Sequence, residues 1–334
     1  MTAEGTPLNP PSGATIPVAQ LRKGARISGG VYLVQESNFK QTRNGKYFIQ
    51  LTLRDRTGAI RAVRWEATAE LFESFASGDL MRVDGRVEEF QGQLQVVVDG
   101  LERVPPEEIE EGAYLPVSER SPEEMEKELL GAVASLGDPH LKALLVAFLD
   151  DPEIRSGFLR CPAGKTVHHA YLGGLAEHVL SIIGAARSIA KNYPSLNLDI
   201  LIAAAILHDI GKIRELAYAR GFGYTDEGQL IGHIAIGLLL LAEKAAAVPD
   251  FPRELLLHLQ HIIVSHHGAA EYGAVKPPMT AEAIAFHYLD NLDAKLAMVD
   301  DLKKDLESAE KETERERRWT DFKPALGRKI FFPD

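Results

Sequence analysis

Between about Ile16 and Val104, apolar and polar residues alternate in short runs separated by glycine-bearing turns, the pattern of half-buried strands. It predicts strands at Ala25–Val34, Lys46–Arg54, Gly58–Trp65, Leu80–Phe90 and Gln93–Val98, and Gly92 in Phe90-Gln91-Gly92-Gln93 suits a hairpin turn. Thr68 to Phe75 reads as a short helix between the third and fourth strands. Five strands with a helix after the third is the order of a small OB-fold barrel. The pattern stops at 105–120, where Pro105-Pro106 and the acids Glu107, Glu108, Glu110 and Glu111 read as a linker. Beyond it apolar residues recur at threes and fours. A helix starts with Ser121 as N-cap and Pro122 in the first turn. Helical spacing then covers Leu141–Leu149, Tyr171–Lys191, Ile200–Leu207, Ile231–Ala246, Leu255–Ser265 and Ala281–Val299, and Lys303–Arg318 reads as a solvated charged helix. The chain is therefore expected to be multidomain. A disordered segment at 1–15 precedes an all-β OB-fold barrel at 16–104, and an all-α helical bundle follows at 121–334.

Composition agrees with two cores, since 334 residues exceed the usual single domain. With 45% hydrophobic and 25% charged residues, wholesale disorder is excluded. No apolar stretch approaches the roughly 20 residues that span a bilayer. The first residues have neither the basic start nor the apolar core of a secretory signal. The single cysteine, Cys161, allows no internal disulfide, and the expected location is the reducing cytoplasm.

The net charge of −11 argues against nucleic acid coating the whole surface, but not against a local basic groove. From Lys40 to Arg64, seven basic residues (Lys40, Arg43, Lys46, Arg54, Arg56, Arg61, Arg64) face one acid, Asp55. Phe39, Tyr47, Phe48 and Trp65 are interleaved with them. Single-strand binders combine a positive groove with aromatic platforms for the bases. Phe48 and Trp65, taken singly, fit barrel core better than binding. The basic strip favours a strand-holding surface of Lys40, Arg43, Lys46 and Tyr47, with single-stranded RNA or DNA as partner, no membrane, and self-association left open.

The strongest chemical signal lies in the helical half, where ten of the eleven histidines fall between His168 and His287. A lone histidine on an apolar stripe, as His178 is among Leu175, Val179 and Ile182, is more often a hydrogen-bonded core residue than a ligand. His178 has company in His208-Asp209, His233, His266-His267 and Asp290. Burying so many polar groups unpaired costs roughly 1 to 3 kcal/mol each. A shared metal centre removes that difficulty. One cation would be held by His178, His208, Asp209 and Asp290, with Asp209 bridging to a second held by His233 and His266 or His267. Such a pair activates water near neutral pH and neutralises phosphoryl oxygens. Two divalent ions are expected, manganese first, with iron, cobalt, nickel or magnesium as alternatives.

The ligand order H, HD, H, HH, D on consecutive helices resembles that of the HD-domain phosphohydrolases. The phrases His168-His169-Ala170-Tyr171-Leu172-Gly173-Gly174-Leu175-Ala176-Glu177-His178, Gly228-Gln229-Leu230-Ile231-Gly232-His233 and His287-Tyr288-Leu289-Asp290-Asn291-Leu292-Asp293-Ala294-Lys295 resemble the YhaM family of 3′-to-5′ exoribonucleases. The resemblance runs from about Ile16 to Phe332 and implies an OB-fold ahead of an HD domain. It implies ligand roles for His178, His208, Asp209 and Asp290 and, by analogy with two-metal HD proteins, for His233, His266 and His267. Asp290 is preferred over Asp293, which would orient a ligand or pair with Lys295 or Lys212. His258 and His261 are balanced between packing and supporting the ligands, and His140 is unrelated. Lys212 is either a helix-end lysine serving the local dipole or an ammonium that meets a phosphate oxygen. Lys165, His168 and His169 precede the first ligand helix, where they could bind the terminal phosphate. Two rivals stand beside the exonuclease. One is an HD phosphohydrolase of free or signalling nucleotides with a regulatory barrel, although the His-His segment lacks the following Gly-Tyr-Pro of the cyclic-dinucleotide branch. The other is a non-enzymatic RNA-binding adaptor.

Overall fold

The computed structural model describes residues 15–42, 44–105, 115–164, 169–218, 223–308 and 318–333. Its chain divides into two units, Met1–Val117 with Ala217–Gly223, and Ser118–Leu216 with Tyr224–Asp334. The expected disordered N-terminus and most of the expected linker lie outside the described residues.

The first unit is a closed barrel of β1 (Arg26–Gln41), β2 (Tyr47–Asp55), β3 (Gly58–Trp65), β4 (Leu80–Phe90) and β5 (Gln93–Arg103) in the order β1-β2-β3-β5-β4. A short helix, α1 (Ala69–Glu73), follows β3 and is capped by the Thr68 hydroxyl, which accepts from Leu71 N. Only the β3–β5 contact is parallel. Alternation builds the core: Ile49, Leu51 and Leu53 point inward, while Phe48, Gln50, Thr52 and Arg54 are only partly covered. They meet Ile27, Tyr32, Val34, Met81, Val83 and Val96 inside. β1 runs well past its expected end at Val34 because register shifts between Ile27 and Gly30 and between Val34 and Glu36 bend it. One strand thereby pairs with β4 through its first half and with β2 through its second. At the β4–β5 turn Gln91 and Gly92 both have positive φ, as a two-residue type I′ hairpin requires.

The second unit is helical: α2 (Pro122–Ala134), α3 (Pro139–Leu149), α4 (Pro152–Arg160), α5 (Gly174–Ala190), α6 (Leu198–Leu207), α7 (Lys212–Glu215), α8 (Asp226–Leu230), α9 (His233–Ala246), α10 (Arg253–Ser265) and α11 (Ala281–Ser308). Ser121, Asp138 and Asp151 each cap a helix that has proline in its first turn. The apolar spacing of α4 is short, and the sequence pattern did not predict that helix. α6 is buried all round from Ile200 to Leu207 and packs against α3, α5, α10 and α11. Its C-terminal end therefore delivers His208 and Asp209 into the interior. α5 starts at Gly174 rather than Tyr171, since Gly173 is left-handed and the chain before it is turned back by Gly174 N on Tyr171 O. The expected charged helix from Lys303 is the end of α11 as far as Ser308, and 309–317 lie outside the described residues.

Candidate functional site

Five elements converge on one polar cluster. His178 comes from α5, His208 and Asp209 from the end of α6, His233 from the first residue of α9, His266 and His267 from the end of α10, and Asp290 from α11. His178 Nε2 lies 3.2 Å from Asp290 Oδ1, and His208 Nε2 lies 3.2 Å from Asp209 Oδ2 and 3.9 Å from Asp290 Oδ1. The other carboxylate oxygen of Asp209 faces the opposite way, 3.5 Å from His233 Nε2 and 3.7 Å from His266 Nε2. His233, His266 and His267 form a second group whose ligand atoms lie within 4.8 Å of one another, as do those of His178, His208 and Asp290. Asp209 thus stands between two groups.

The backs of these rings are tied down. His208 Nδ1 is 2.9 Å from Ala205 O, His266 Nδ1 is 2.7 Å from Ile263 O, and His233 Nδ1 is 3.0 Å from Glu215 Oε1. Each of these Nδ1–H groups donates, which leaves Nε2 with its lone pair aimed inward. Asp293 does the same for His178, accepting from Nδ1 at 2.7 Å, and it also receives His169 Nε2 at 3.2 Å and the Ser181 hydroxyl. Asp293 pairs with these histidines rather than with Lys295 or Lys212.

The inward atoms supply the test for a cation. His208 Nε2, Asp209 Oδ1, His233 Nε2, His266 Nε2 and His267 Nδ1 are buried without a hydrogen-bond partner. Five such atoms gathered in one place are anomalous for a folded interior. A mixed imidazole and carboxylate set around divalent ions resolves the anomaly, and the residues fit. His169, His178 and Asp293 also lie close enough to hold an ion, but their facing atoms bond one another, which suits an orienting role.

Electrostatics agree at the carboxylates and at the histidines that end α10, whereas at His178 burial is outweighed by the Asp290 and Asp293 hydrogen bonds, which raise the ring to about 9. Burial disfavours charge on Asp209, yet Lys212 and His208 beside it hold the carboxyl well below the usual range. Burial likewise works against Asp290 and is outweighed by the His178 hydrogen bond and the His208 charge, which hold it low. Desolvation pushes His266 and His267 down, with neighbouring rings adding to the effect on His266. Ionised carboxylates and neutral imidazoles are the forms that bind metal.

Lys212 is the first residue of α7, where a cation gains nothing from the helix dipole. Its ammonium donates to Asp209 Oδ2 at 2.7 Å and to Ala163 O at 2.6 Å. Gly211 beside it packs so closely on α9 that a Cβ would lie 2.0 Å from His233 O. Glu215 and Gly211 escaped the sequence reading. The signal for Glu215 was an acid next to the apolar Leu216 and only seven positions after His208, a buried charge in need of a partner. His169 bonds Tyr171 Oη at 2.6 Å as well as Asp293, so it is part of the network beside His178. Lys165 and His168 lie outside the described residues. His258 reaches Thr280 and His261 accepts from Met279 N, which secures the start of α11. His140 makes a ring contact with Phe251.

On the barrel, Lys40 binds Gln50 and Lys46 binds Glu66, both at the surface. Arg43 lies outside the described residues. Tyr47 stacks on Phe39, with ring centroids 5.0 Å apart, and is 47% exposed. The assignment of Phe48 and Trp65 to the core is corrected by the structure. They are paired across β2 and β3, their rings meet at 5.1 Å, and Trp65 is 47% exposed. The inward parity of Ile49 forces this, because neighbours on a strand face opposite ways.

The OB-fold nucleic acid binding domain family matches residues 26–104, and the HD domain family matches residues 175–295. The 3′-5′ exoribonuclease YhaM of Bacillus subtilis is 37% identical over 271 residues, covering 80% of this chain and 85% of the relative. The protein of the same name from Bacillus velezensis is 36% identical, with the same coverage of each chain. That from Halalkalibacterium halodurans is 32% identical over 80% of this chain and 83% of its own. The chain belongs to the YhaM family of 3′-5′ exoribonucleases. Within that family its HD domain is a metal-dependent phosphohydrolase unit and its barrel a nucleic-acid-binding unit.

Proposed function

We propose that the chain shortens single-stranded RNA, and single-stranded DNA as well, from the 3′ end and releases nucleoside 5′-monophosphates. The observation that carries the reading is Asp209, whose two oxygens face separate histidine groups. A pair of divalent cations bound there, manganese first by the donor set, would activate water and neutralise phosphoryl oxygens.

The chain's own residues do the rest. His178, His208, Asp209 and Asp290 would hold one ion, and Asp209, His233, His266 and His267 the other. Lys212 fixes Asp209 through one N–H and Ala163 O through another. Its third donor is directed to a non-bridging phosphate oxygen. Lys165 and His168 receive the terminal phosphate region, and His169 beside them holds Asp293 and Tyr171. A recessed site takes a free end more readily than the middle of a strand. Cleavage between phosphorus and the 3′ oxygen of the penultimate nucleotide leaves the phosphate on the 5′ position of the released unit. Lys40, Arg43, Lys46 and Tyr47 hold the strand by charge and stacking, joined by Phe48 and Trp65, which face the other side of β2 from Tyr47 on the strands that OB-folds use for oligonucleotides. The buried single cysteine supports a reducing, cytoplasmic setting.

The test uses 5′-labelled RNA and DNA strands with Mn2+, Mg2+ or chelator. A ladder receding from the 3′ end, slowed by a 3′-phosphate and lost in chelator, is expected. Internal cuts in a circular strand, or products with 3′-phosphates, would overturn the reading. Inert strands with hydrolysis of free nucleotides would favour the nucleotide-hydrolase alternative.

A further inference from the structure

Beside the metal residues lies a cavity of about 410 Å³ that the reaction as described does not use. His267 forms part of its wall, so it is continuous with the cluster, and the lining includes Tyr272, Ile284, His287, Tyr288 and Asn291. Its size falls in the range of small-molecule sites. Two of its tyrosines are unusually bare: Tyr272 and Tyr288 are each 68% exposed. The polar groups are set differently. His287 Nδ1 is 2.7 Å from His266 O, and the ring lies against Gly268, where a Cβ would come within 2.2 Å of it. The His287 ring is therefore fixed, with Nε2 left as an acceptor. Asn291 offers both a donor and an acceptor from one amide, which turns to suit either partner.

We infer that this cavity holds the nucleobase of the 3′-terminal nucleotide, stacked on Tyr288, while its phosphate lies at the metal residues. The inference rests on the exonuclease reading and deepens it by naming where the leaving nucleotide sits. Every base has a face for a tyrosine, and an amide that both donates and accepts can meet any base edge. Such a pocket grips all four nucleotides with little discrimination, as stepwise shortening of an arbitrary sequence requires. Because the base departs with the product, a nucleoside 5′-monophosphate occupies the same pocket after cleavage, whereas ribose 5-phosphate leaves it empty.

The experiment compares wild type, Tyr288→Ala and Tyr288→Phe on strands that end in an ordinary or an abasic 3′ nucleotide, with 5′-AMP and ribose 5-phosphate as competitors. For wild type, kcat/KM should fall roughly tenfold to a hundredfold on the abasic end, the span of one base–aromatic stack. Tyr288→Ala should lose a similar factor on the ordinary strand and show no further abasic penalty, and Tyr288→Phe should restore it. 5′-AMP should inhibit wild type far better than ribose 5-phosphate, and that preference should vanish in Tyr288→Ala. An undiminished abasic penalty in Tyr288→Ala, or equal inhibition by the two competitors, would overturn the inference. So would a loss that tracks a changed sedimentation coefficient, since Ile284, Tyr288, Leu292 and Leu296 form an exposed row on α11 and would then be a protein-contact face. Wild type that fails to shorten any strand would instead remove the exonuclease reading itself.

Discussion

Asp293 and Glu215 never reach the interior of the cluster, yet each holds the back of a ring that does. Partners of this kind fix the tautomer and heading of a ligand, and losing one lowers metal affinity or activity about tenfold to a hundredfold. Asp293→Asn and Glu215→Gln should each raise the manganese concentration for half-maximal activity by that factor, whereas Asp209→Asn should abolish activity at any concentration. A metal titration of each variant decides the matter, and unchanged half-saturation in Glu215→Gln would remove its positioning role. Gly211 gives a sharper contrast. Gly211→Ala drives a methyl into the His233 carbonyl and should destabilise by at least about 1 to 3 kcal/mol in urea unfolding. Gly184→Ala, on the same kind of backbone but in open space within α5, should stabilise by roughly 0.5 to 1 kcal/mol. At this scale much was legible in the chain. Histidines and acids on apolar faces announce themselves, because a buried polar group needs a partner. Gly211 could not be read, since a close approach of two backbones leaves no trace in residue type. The partner of Asp293 was uncertain for a related reason: sequence supplies candidate cations nearby but not the fold that carries His178 to it across 115 positions.

Among the elements, α6 and β2 show opposite ways in which pattern becomes function. α6 is apolar on every side, so its helical period tells little about facing, but its burial carries whatever follows it into the interior. β2 alternates strictly, and that period alone decides that Phe48 faces away from the side of Ile49. The core assignment of Phe48 and Trp65 failed because residue type was weighed above parity. The outward pair now carries a prediction of its own. Phe48→Ala with Trp65→Ala should raise KM for long strands, by about 1 to 3 kcal/mol for each stack removed, rather than lower kcat. Equal losses in kcat would assign the pair to barrel stability instead. α4 was missed because its nine residues offer too few apolar positions to establish a period, although its Asp151-Pro152 start was present as a capping signal.

For the whole molecule, a chain of net charge −11 that binds polyanions must do so through local charge. Replacing Lys40 and Lys46 with alanine should weaken binding of single strands and flatten its salt dependence by about 0.7 for each phosphate no longer neutralised, read from the slope of log affinity against log salt. An unaltered slope would move the electrostatic contact to another surface.

The ligand-bearing residues come from α5, the ends of α6 and α10, the start of α9, and α11, which are far apart along the chain. Loop closure on that scale has to precede any reward from the contacts it creates. The metal cluster therefore belongs to the last events of folding rather than to its nucleus, and interactions formed after the transition state act on the unfolding rate. Manganese-loaded and chelated protein, followed by stopped-flow fluorescence through urea jumps, should share one refolding limb and separate on the unfolding limb, with the loaded form slower to unravel. The cation would then act as a lock on the finished fold, governing how long the enzyme stays folded and leaving unchanged how fast it gets there.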